Sequence, residues 1–223
     1  ISMRFNERSS GLIDSFNGKI FHILGCGAIG SAAATQLACM GAEEFILYDM
    51  DKVSIENIGV SQFNHKDIGR SKVNALKRHI LATNDDANIL SLDQPFTKFM
   101  KPLGNDDIVI LGFDNMTIRK EAAELACVGG QKPFAIIDGR MGAEEYQQYV
   151  IKDPTLKKYL KYWYADDDAS SEPCNAKATS YCSNMSGSFI ANSVKKLMMD
   201  EPYNEEFFFH FKTLFLGKSP TIG

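Results

Sequence analysis

The chain has 223 residues, 44% hydrophobic and 23% charged, long enough for one domain with a buried core and short for two. This ordinary globular composition excludes disorder, collagen-like sequence and coiled coil. Against 28 Asp and Glu, 24 Lys and Arg leave a net charge of -4, opposite in sign to the surplus of a nucleic-acid binder. No apolar run has the length of a membrane span, and the N-terminus is polar, unlike a signal peptide. A chain with neither a nucleic-acid nor a membrane partner is therefore expected. Its five cysteines (Cys26, Cys39, Cys127, Cys174, Cys182) are irregularly spaced. A chain of this size needs no disulfide staples, which points to a reduced, cytoplasmic protein.

Ile20–Leu24 is a short apolar run that stops at a glycine cluster and reads as a buried parallel strand. The alanine-rich stretch from Ala28 to Met40 reads as a helix ended by Gly41. Glu44–Tyr48 is a second strand, closed by Asp49, and Val73, Leu76, Ile80 and Leu81 fall at helical spacing. Asn88–Leu92 and Ile108–Leu111 are the third and fourth strands, with a helix over Met116–Val128. Phe134–Ile137 is the fifth strand, and Glu145–Ile151 alternates like a strand with an exposed face. The pattern weakens from Asp153 to Tyr181 and returns as a long helix marked by Met185, Phe189, Val194, Leu197 and Met198. Phe207–Phe211 and Leu214–Leu216 read as a last strand or helix covering the core, in preference to a partner surface. Alternating strands and helices predict one α/β domain, a doubly wound, Rossmann-like, mostly parallel sheet with helices on both faces.

Between the first strand and helix stands Gly25-Cys26-Gly27-Ala28-Ile29-Gly30. The first glycine allows a tight turn, the second lets the backbone approach a phosphate, and the third lets helix pack on strand. The helix N-terminus offers free N–H groups to an anion. Asp49, at the end of the next strand, stands where a carboxylate holds ribose hydroxyls. This much says adenine nucleotide, and its common completion is a nicotinamide dehydrogenase.

The following segment distinguishes this loop from others. It runs Asp49-Met50-Asp51-Lys52-Val53, then Asn57-Ile58, Gln62-Phe63 and Gly69-Arg70-Ser71-Lys72-Val73. Asp114-Asn115 with Arg119 follow strand four, Arg140-Met141 follow strand five, and Cys174 precedes the last helix. This ordered set resembles the ubiquitin-activating-enzyme superfamily, whose bacterial members include ThiF, MoeB and HesA. The resemblance covers nearly the whole chain. It implies a single adenylation domain over 1–223, with an N-terminal arm at 1–18 and a crossover loop at 153–182 carrying Cys174. It also implies that the extra domains of the eukaryotic activating enzymes are missing.

The implied activity is Mg-ATP-dependent adenylation of the C-terminal carboxylate of a small ubiquitin-like or sulfur-carrier protein, or of a peptide. A carboxylate is a poor electrophile because its leaving group is oxide, and AMP supplies a better one. The catalyst must align two anions and neutralise phosphate charge. The resemblance assigns Gly25, Gly27, Ala28, Ile29 and Gly30 to the nucleotide loop, Asp49 to the ribose, Asn57 to ribose or phosphate with a loop turn as its plain alternative, and Asp51 and Gln62 to the same nucleotide site. Lys72 is the expected phosphate contact, against the plain alternative of a solvated lysine at a helix start. Asp114, beside Asn115, is expected to hold Mg²⁺, with a helix N-cap as its plain alternative. Arg119 and Arg140 are assigned to the substrate tail. Arg8 is assigned a reach across a homodimer to the partner's nucleotide, with a frayed basic terminus as the alternative.

Two departures stand out. The family's usual arginine between Asn and Gln-Phe is missing from Asn57-Ile58-Gly59-Val60-Ser61-Gln62, and Arg70 is the expected substitute. The chain also has no Cys-x-x-Cys pair, so the structural zinc of many bacterial members is not expected. Cys174 stands open between a thioester-forming nucleophile, helped by a helix N-terminus and Lys177, and a bystander thiol. Cys182 is a resolving or bystander thiol. Cys26, Cys39 and Cys127 read as small core residues, and His22 as a core histidine. Two other functional readings stay open: an NAD(P)-dependent oxidoreductase on the same glycine loop, and a non-catalytic pseudo-enzyme that binds a ubiquitin-like partner.

Overall fold

The computed structural model describes residues 8, 11–13, 16, 18–128, 132–165 and 178–222. Its elements run β1 (Ile20–Leu24), α1 (Ala28–Cys39), β2 (Glu44–Tyr48), α2 (Ile55–Ile58), α3 (Lys72–Thr83), β3 (Asn88–Leu92), β4 (Asp107–Leu111), α4 (Met116–Cys127), β5 (Ala135–Gly142), β6 (Glu145–Lys152), α5 (Leu156–Leu160), α6 (Ser180–Met198), β7 (Tyr203–Asn204), β8 (Glu206–His210), β9 (Phe215–Lys218) and β10 (Thr221–Ile222).

Eight strands form one mixed sheet in the order β3-β2-β1-β4-β5-β6-β8-β9, and β10 pairs with β7 beside it. The first five are parallel, with Phe21 level with Phe45 on one side and Ile108 on the other. β6, β8 and β9 are added antiparallel. The central strands are continuous apolar runs because both sheet faces are covered. On one face Phe21, Phe45, Ile110 and Ile137 pack with Leu37 of α1, Leu76 and Ile80 of α3, and Ile190 and Val194 of α6. On the other face Leu24, Ile46, Val109 and Ile136 pack with Ala122 and Ala126 of α4 and Tyr159 of α5. Each large side chain so buried contributes about 1.5–3 kcal/mol. The doubly wound arrangement expected from the alternation is the one observed.

Four local expectations need correction. Strand five does not end at Ile137; β5 continues through Asp138, Gly139 and Arg140 to Gly142, paired throughout with β6. β6 exposes one face only at its start. It lies between β5 and β8; Glu145 is exposed and Gln147 half-buried, but Tyr149 and Ile151 on that face are buried, and Tyr146, Gln148 and Val150 on the other are fully buried. The 153–182 segment is not loop throughout, since α5 forms where Thr155 Oγ1 accepts from Lys158 N at 3.2 Å and α6 already starts at Ser180. Cys39, on the outer side of α1, is exposed and no core residue. The aromatic run of β8 divides by strand periodicity. Phe207 and Phe209 turn inward to Phe189 of α6, with ring centroids 4.8 and 6.3 Å away, while Phe208 remains 42% exposed. The run thus covers the core with alternate residues only.

Candidate active site

Strand order reverses direction between β1 and β4, which sends α1 and α4 to opposite faces and opens a crevice beyond their C-terminal ends. Gly25 closes β1 in the left-handed region, at φ +87°, and its N–H donates to Tyr48 O at 2.9 Å. A side chain at Gly25 would stand 2.9 Å from the backbone of Gly112, and one at Gly30 only 1.9 Å from Gly25 O. These two glycines pack the loop against the end of β4 and the start of α1. At Gly27, the N-cap of α1, a Cβ would meet no heavy atom within 4 Å among the described residues. The glycine N-cap has no side chain to satisfy the first-turn amides. The donor set and the open space therefore fit an anion at this helix end.

Asp49 stands at the rim of the turn. Its Oδ2 accepts from Cys26 N at 2.7 Å and its Oδ1 from Asp51 N at 2.8 Å. Partial burial raises its pKa against the opposing effect of these amides and of the Lys72 charge. Lys72 is the first residue of α3; its backbone N–H bonds to Asp51 O and its Nζ to Asp51 Oδ2, 2.8 Å away. The lysine side chain is 12% exposed, its carboxylate partner 57%. Burial works against the ammonium, but Asp51, Asp49 and Asp114 outweigh it and raise the Lys72 pKa. Three carboxylates from two strand ends, Asp49 and Asp51 after β2 and Asp114 after β4, thus act on one half-buried cation. Asp114 itself is exposed, and the N-cap of α4 is Asn115, whose Oδ1 accepts from Ile118 N at 2.9 Å. The plain alternative for Asp114, a helix cap, is therefore overturned, since Asn115 fills that role. Among the described residues no three of His, Cys, Asp and Glu are grouped as metal ligands, so Asp114 would be a lone carboxylate toward an ion arriving with a nucleotide.

Asn57 serves the first turn of α2, its Oδ1 accepting from Ser54 N and Oγ at 3.0 Å each. Gln62 bridges to α6, donating from Nε2 to Asn184 Oδ1 at 2.7 Å. Arg70 is exposed and its Nε donates to Lys66 O at 3.2 Å. Arg8 is exposed. Arg119 and Arg140 are buried on a shared partner, Asp138. Arg119 Nη1 pairs with Asp138 Oδ1, and Arg140 Nη2 with Oδ2 at 2.7 Å. Arg119 also donates to the carbonyls of Leu111 and Phe113, and Arg140 to that of Tyr162. Both guanidinium groups are thus fastening the ends of β4 and β5. Cys174 and Lys177 lie outside the described residues. Cys182 is buried, and burial pushes its thiol up to about 12, so no thiolate forms there near neutrality.

A family model described as the ThiF family matches residues 13–219. The chain belongs to the ThiF family. It is 31% identical over 115 residues to the sulfur carrier protein ThiS adenylyltransferase of Escherichia coli, a match spanning 50% of this chain and 45% of that protein. It is 32% identical over 124 residues to ubiquitin-like modifier-activating enzyme 5 of Drosophila persimilis, spanning 49% of this chain and 32% of the relative. The chain thus spans less than half the length of these curated relatives. Among solved structures, E. coli MccB with ATP superposes with a TM-score of 0.74 at 18% identity, covering 97% of this chain and 70% of MccB. MccB in complex with N-formylated MccA gives 0.74 at 19%, covering 96% and 68%. These structures share the Rossmann-like fold.

This ThiF-family site also uses residues that its motifs do not point to. Ser31 Oγ accepts from Gln62 N at 3.1 Å, and Ser183 Oγ of α6 donates to Ala28 O at 3.0 Å. Asp138 anchors both arginines and accepts from Tyr159 Oη at 3.1 Å. The signal available for Asp138 was a charged residue following an apolar strand, a pattern shared by most strand ends.

Proposed function

We propose that this ThiF-family domain is an ATP-dependent adenylating enzyme acting on the C-terminal carboxylate of a small ubiquitin-like or sulfur-carrier protein, or of a peptide. One observation carries the reading: a half-buried Lys72 held among Asp49, Asp51 and Asp114 at the same crevice as the uncapped α1 N-terminus and the open Gly27. A nicotinamide enzyme needs the glycine turn and Asp49 but gives no role to a lysine so placed. The named activity of the E. coli adenylyltransferase and the ATP complex of MccB support the same reading.

In this reading the α1 amides and Gly27 cradle phosphate and Asp49 holds the ribose. Asp51 releases Lys72 to the phosphates, and Asp114 takes Mg²⁺, which neutralises phosphate charge when bound. A substrate carboxylate oxygen then attacks the α-phosphorus, and pyrophosphate leaves. Asn57 orients the ribose or phosphates, and Gln62 joins the same nucleotide site. Arg119 and Arg140 act on the substrate tail through the strand ends they hold. Arg70 replaces the family arginine, and Arg8 completes the site of the second copy in a homodimer. Cys174 is the candidate acceptor of the acyl group as a thioester, with loss of AMP. The protein works in the cytoplasm without nucleic acid or membrane.

The test is a thermal-shift series followed by ATP–pyrophosphate exchange. Stabilisation by Mg-ATP and not by NAD, with exchange that needs a carrier or peptide and falls at least about 100-fold in Lys72→Ala, is expected. Stabilisation by NAD alone overturns the reading. Binding of ATP without exchange favours the pseudo-enzyme, for which the missing arginine argues. Unchanged exchange in Arg70→Ala removes Arg70 from the phosphate clamp.

A further inference from the structure

Beneath the crevice lies a buried polar group that the adenylation reading leaves unused. His22, in the middle of β1, is fully buried, with Nε2 2.8 Å from Asp107 Oδ1 and Nδ1 3.1 Å from Tyr48 Oη. Tyr48 Oη also accepts from Met100 N at 3.3 Å. The phenol has one proton, and with Met100 donating to it that proton goes to His22 Nδ1. The imidazole is then neutral, with its own proton on Nε2 facing Asp107. Burial favours the same neutral form by lowering the His22 pKa. Asp107 further accepts from Lys101 Nζ at 2.6 and 2.8 Å and from Gly104 N at 2.7 Å. Every tie but those within β1, β2 and β4 leads to one segment, the 93–106 connection between β3 and β4.

That connection is an aromatic strap. Phe99 stands edge-on to His22 at 5.5 Å, and Phe96 to Phe99 at 5.2 Å. Phe96 also contacts Tyr48 at 5.4 Å and Phe113 at 6.0 Å. Tyr48 immediately precedes Asp49, and Phe113 immediately precedes Asp114. One ring therefore wedges between the two strand ends whose carboxylates flank Lys72.

Resting on the function proposed above, we infer that the Tyr48–His22–Asp107 relay is a positioning device: by pinning the 93–106 strap it sets the separation of Asp49 and Asp114, and so the nucleotide affinity of the site. Tyr48, His22, Asp107 and Phe96 touch no reacting atom in this account. They are positioning residues that act through Asp49 and Asp114.

Tyr48→Phe removes the hydroxyl and keeps the ring. Lys101→Met cuts the strap's other tie at a partly exposed position and keeps the proposal testable if the first variant folds poorly. Asn84→Ala is the control, removing a buried side chain whose Nδ2 donates to Ala42 O at 3.0 Å away from the strap. Two readouts are taken where all variants are folded. Calorimetric ATP binding should weaken about tenfold in Tyr48→Phe and stay unchanged in Asn84→Ala. Amide hydrogen exchange at Cys26 and Asp51, the donors to Asp49, should quicken in Tyr48→Phe without any ligand. Equal ATP affinity in wild type and Tyr48→Phe, or unaltered exchange at those two amides, overturns the inference. If the wild type fails to bind ATP the functional reading fails, and the exchange readout still decides whether the strap positions Asp49.

Discussion

At the scale of single residues, the three glycines of the turn do different work, and each can be tested alone. Gly30 is closed by Gly25 O, 1.9 Å from where its Cβ would lie, whereas nothing within 4 Å among the described residues opposes a Cβ at Gly27. Gly27 has φ of -78°, outside the left-handed region. Gly27→Ala should therefore shift Tm by no more than about 2–4 °C, the worth of roughly 1 kcal/mol in a domain of this size, yet fill the anion cradle. Calorimetry should find ATP binding lost. Gly30→Ala should instead push loop from helix and lower Tm itself, as read by differential scanning fluorimetry. The same reasoning explains why the loop was legible in the sequence. Steric necessity leaves glycine no substitute at two of its positions, and the third faces open space among the described residues.

At the scale of elements, the Asp138 cluster joins α4, β5 and α5. Its carboxylate holds Arg119, Arg140 and Tyr159 with almost no exposure. Asp138→Ala would leave two guanidinium charges buried and unpaired, a change that costs about 3–5 kcal/mol. Near 2–4 °C per kcal/mol, Tm should fall by roughly 10 °C, and a drop of only a degree or two would mean that the arginines find other partners. The strap predicts a pH dependence. The His22 pKa lies below 6.5, so its contribution to stability is intact above that pH and is lost as pH falls through the folded value. For Asp107, burial opposes ionisation, but the hydrogen bonds from His22, Lys101 and Gly104 outweigh it and hold the pKa below 3.8. Its contribution is present above 3.8 and disappears at still lower pH. Urea titrations should show wild-type stability declining as pH drops below about 6.5, with a flatter slope in His22→Gln. An equal slope in the variant would place the loss elsewhere.

These elements also mark where sequence reading stops. The ends of β1 and β2 coincide with their apolar runs because a parallel strand covered on both faces must be apolar along its length. β5 runs past Ile137 because Asp138 and Arg140 neutralise each other inside the protein, and no local pattern announces a pairing that needs Arg119 from α4. The His22 relay is hidden for a similar reason. Asp107 lies 85 residues from His22, and neither residue carries a motif. The motif at Asp114-Asn115-x-x-x-Arg119 was visible, but the division of labour within it was not: Asn115 caps, Arg119 braces, and Asp114 remains open.

At the scale of the whole molecule, the chain's last long helix is built into its first functional loop. α6 crosses α1 so closely that a Cβ on Gly187 would stand 2.6 Å from Ala32 C and O. A glycine inside a helix costs about 0.5–1 kcal/mol relative to alanine, so close approach to α1 is what offsets it. The contact brings Ser183 to Ala28 O and Asn184 to Gln62. Residues some 155 apart in sequence therefore share the mouth of the crevice. The antiparallel strands that follow α6 lean on the same helix through Phe207 and Phe209 against Phe189. A displacement of α6 should thus be felt at both ends, at the glycine loop and along the β6–β8 margin. Gly187→Val supplies that displacement. Its branched side chain faces backbone, which cannot rotate away, so an overpacking cost of about 1–3 kcal/mol is expected, seen as a lower Tm. Because Ala28 and Gln62 move with α6, ATP binding should weaken as well, in the folded protein and below its melting range. Asn184→Ala separates the two effects. It cuts the tie to Gln62 at the surface and should reduce ATP affinity with Tm nearly unchanged. If Gly187→Val lowers Tm but neither variant alters ATP affinity, α6 is a scaffold only, and the coupling between the two halves of the chain ends at packing.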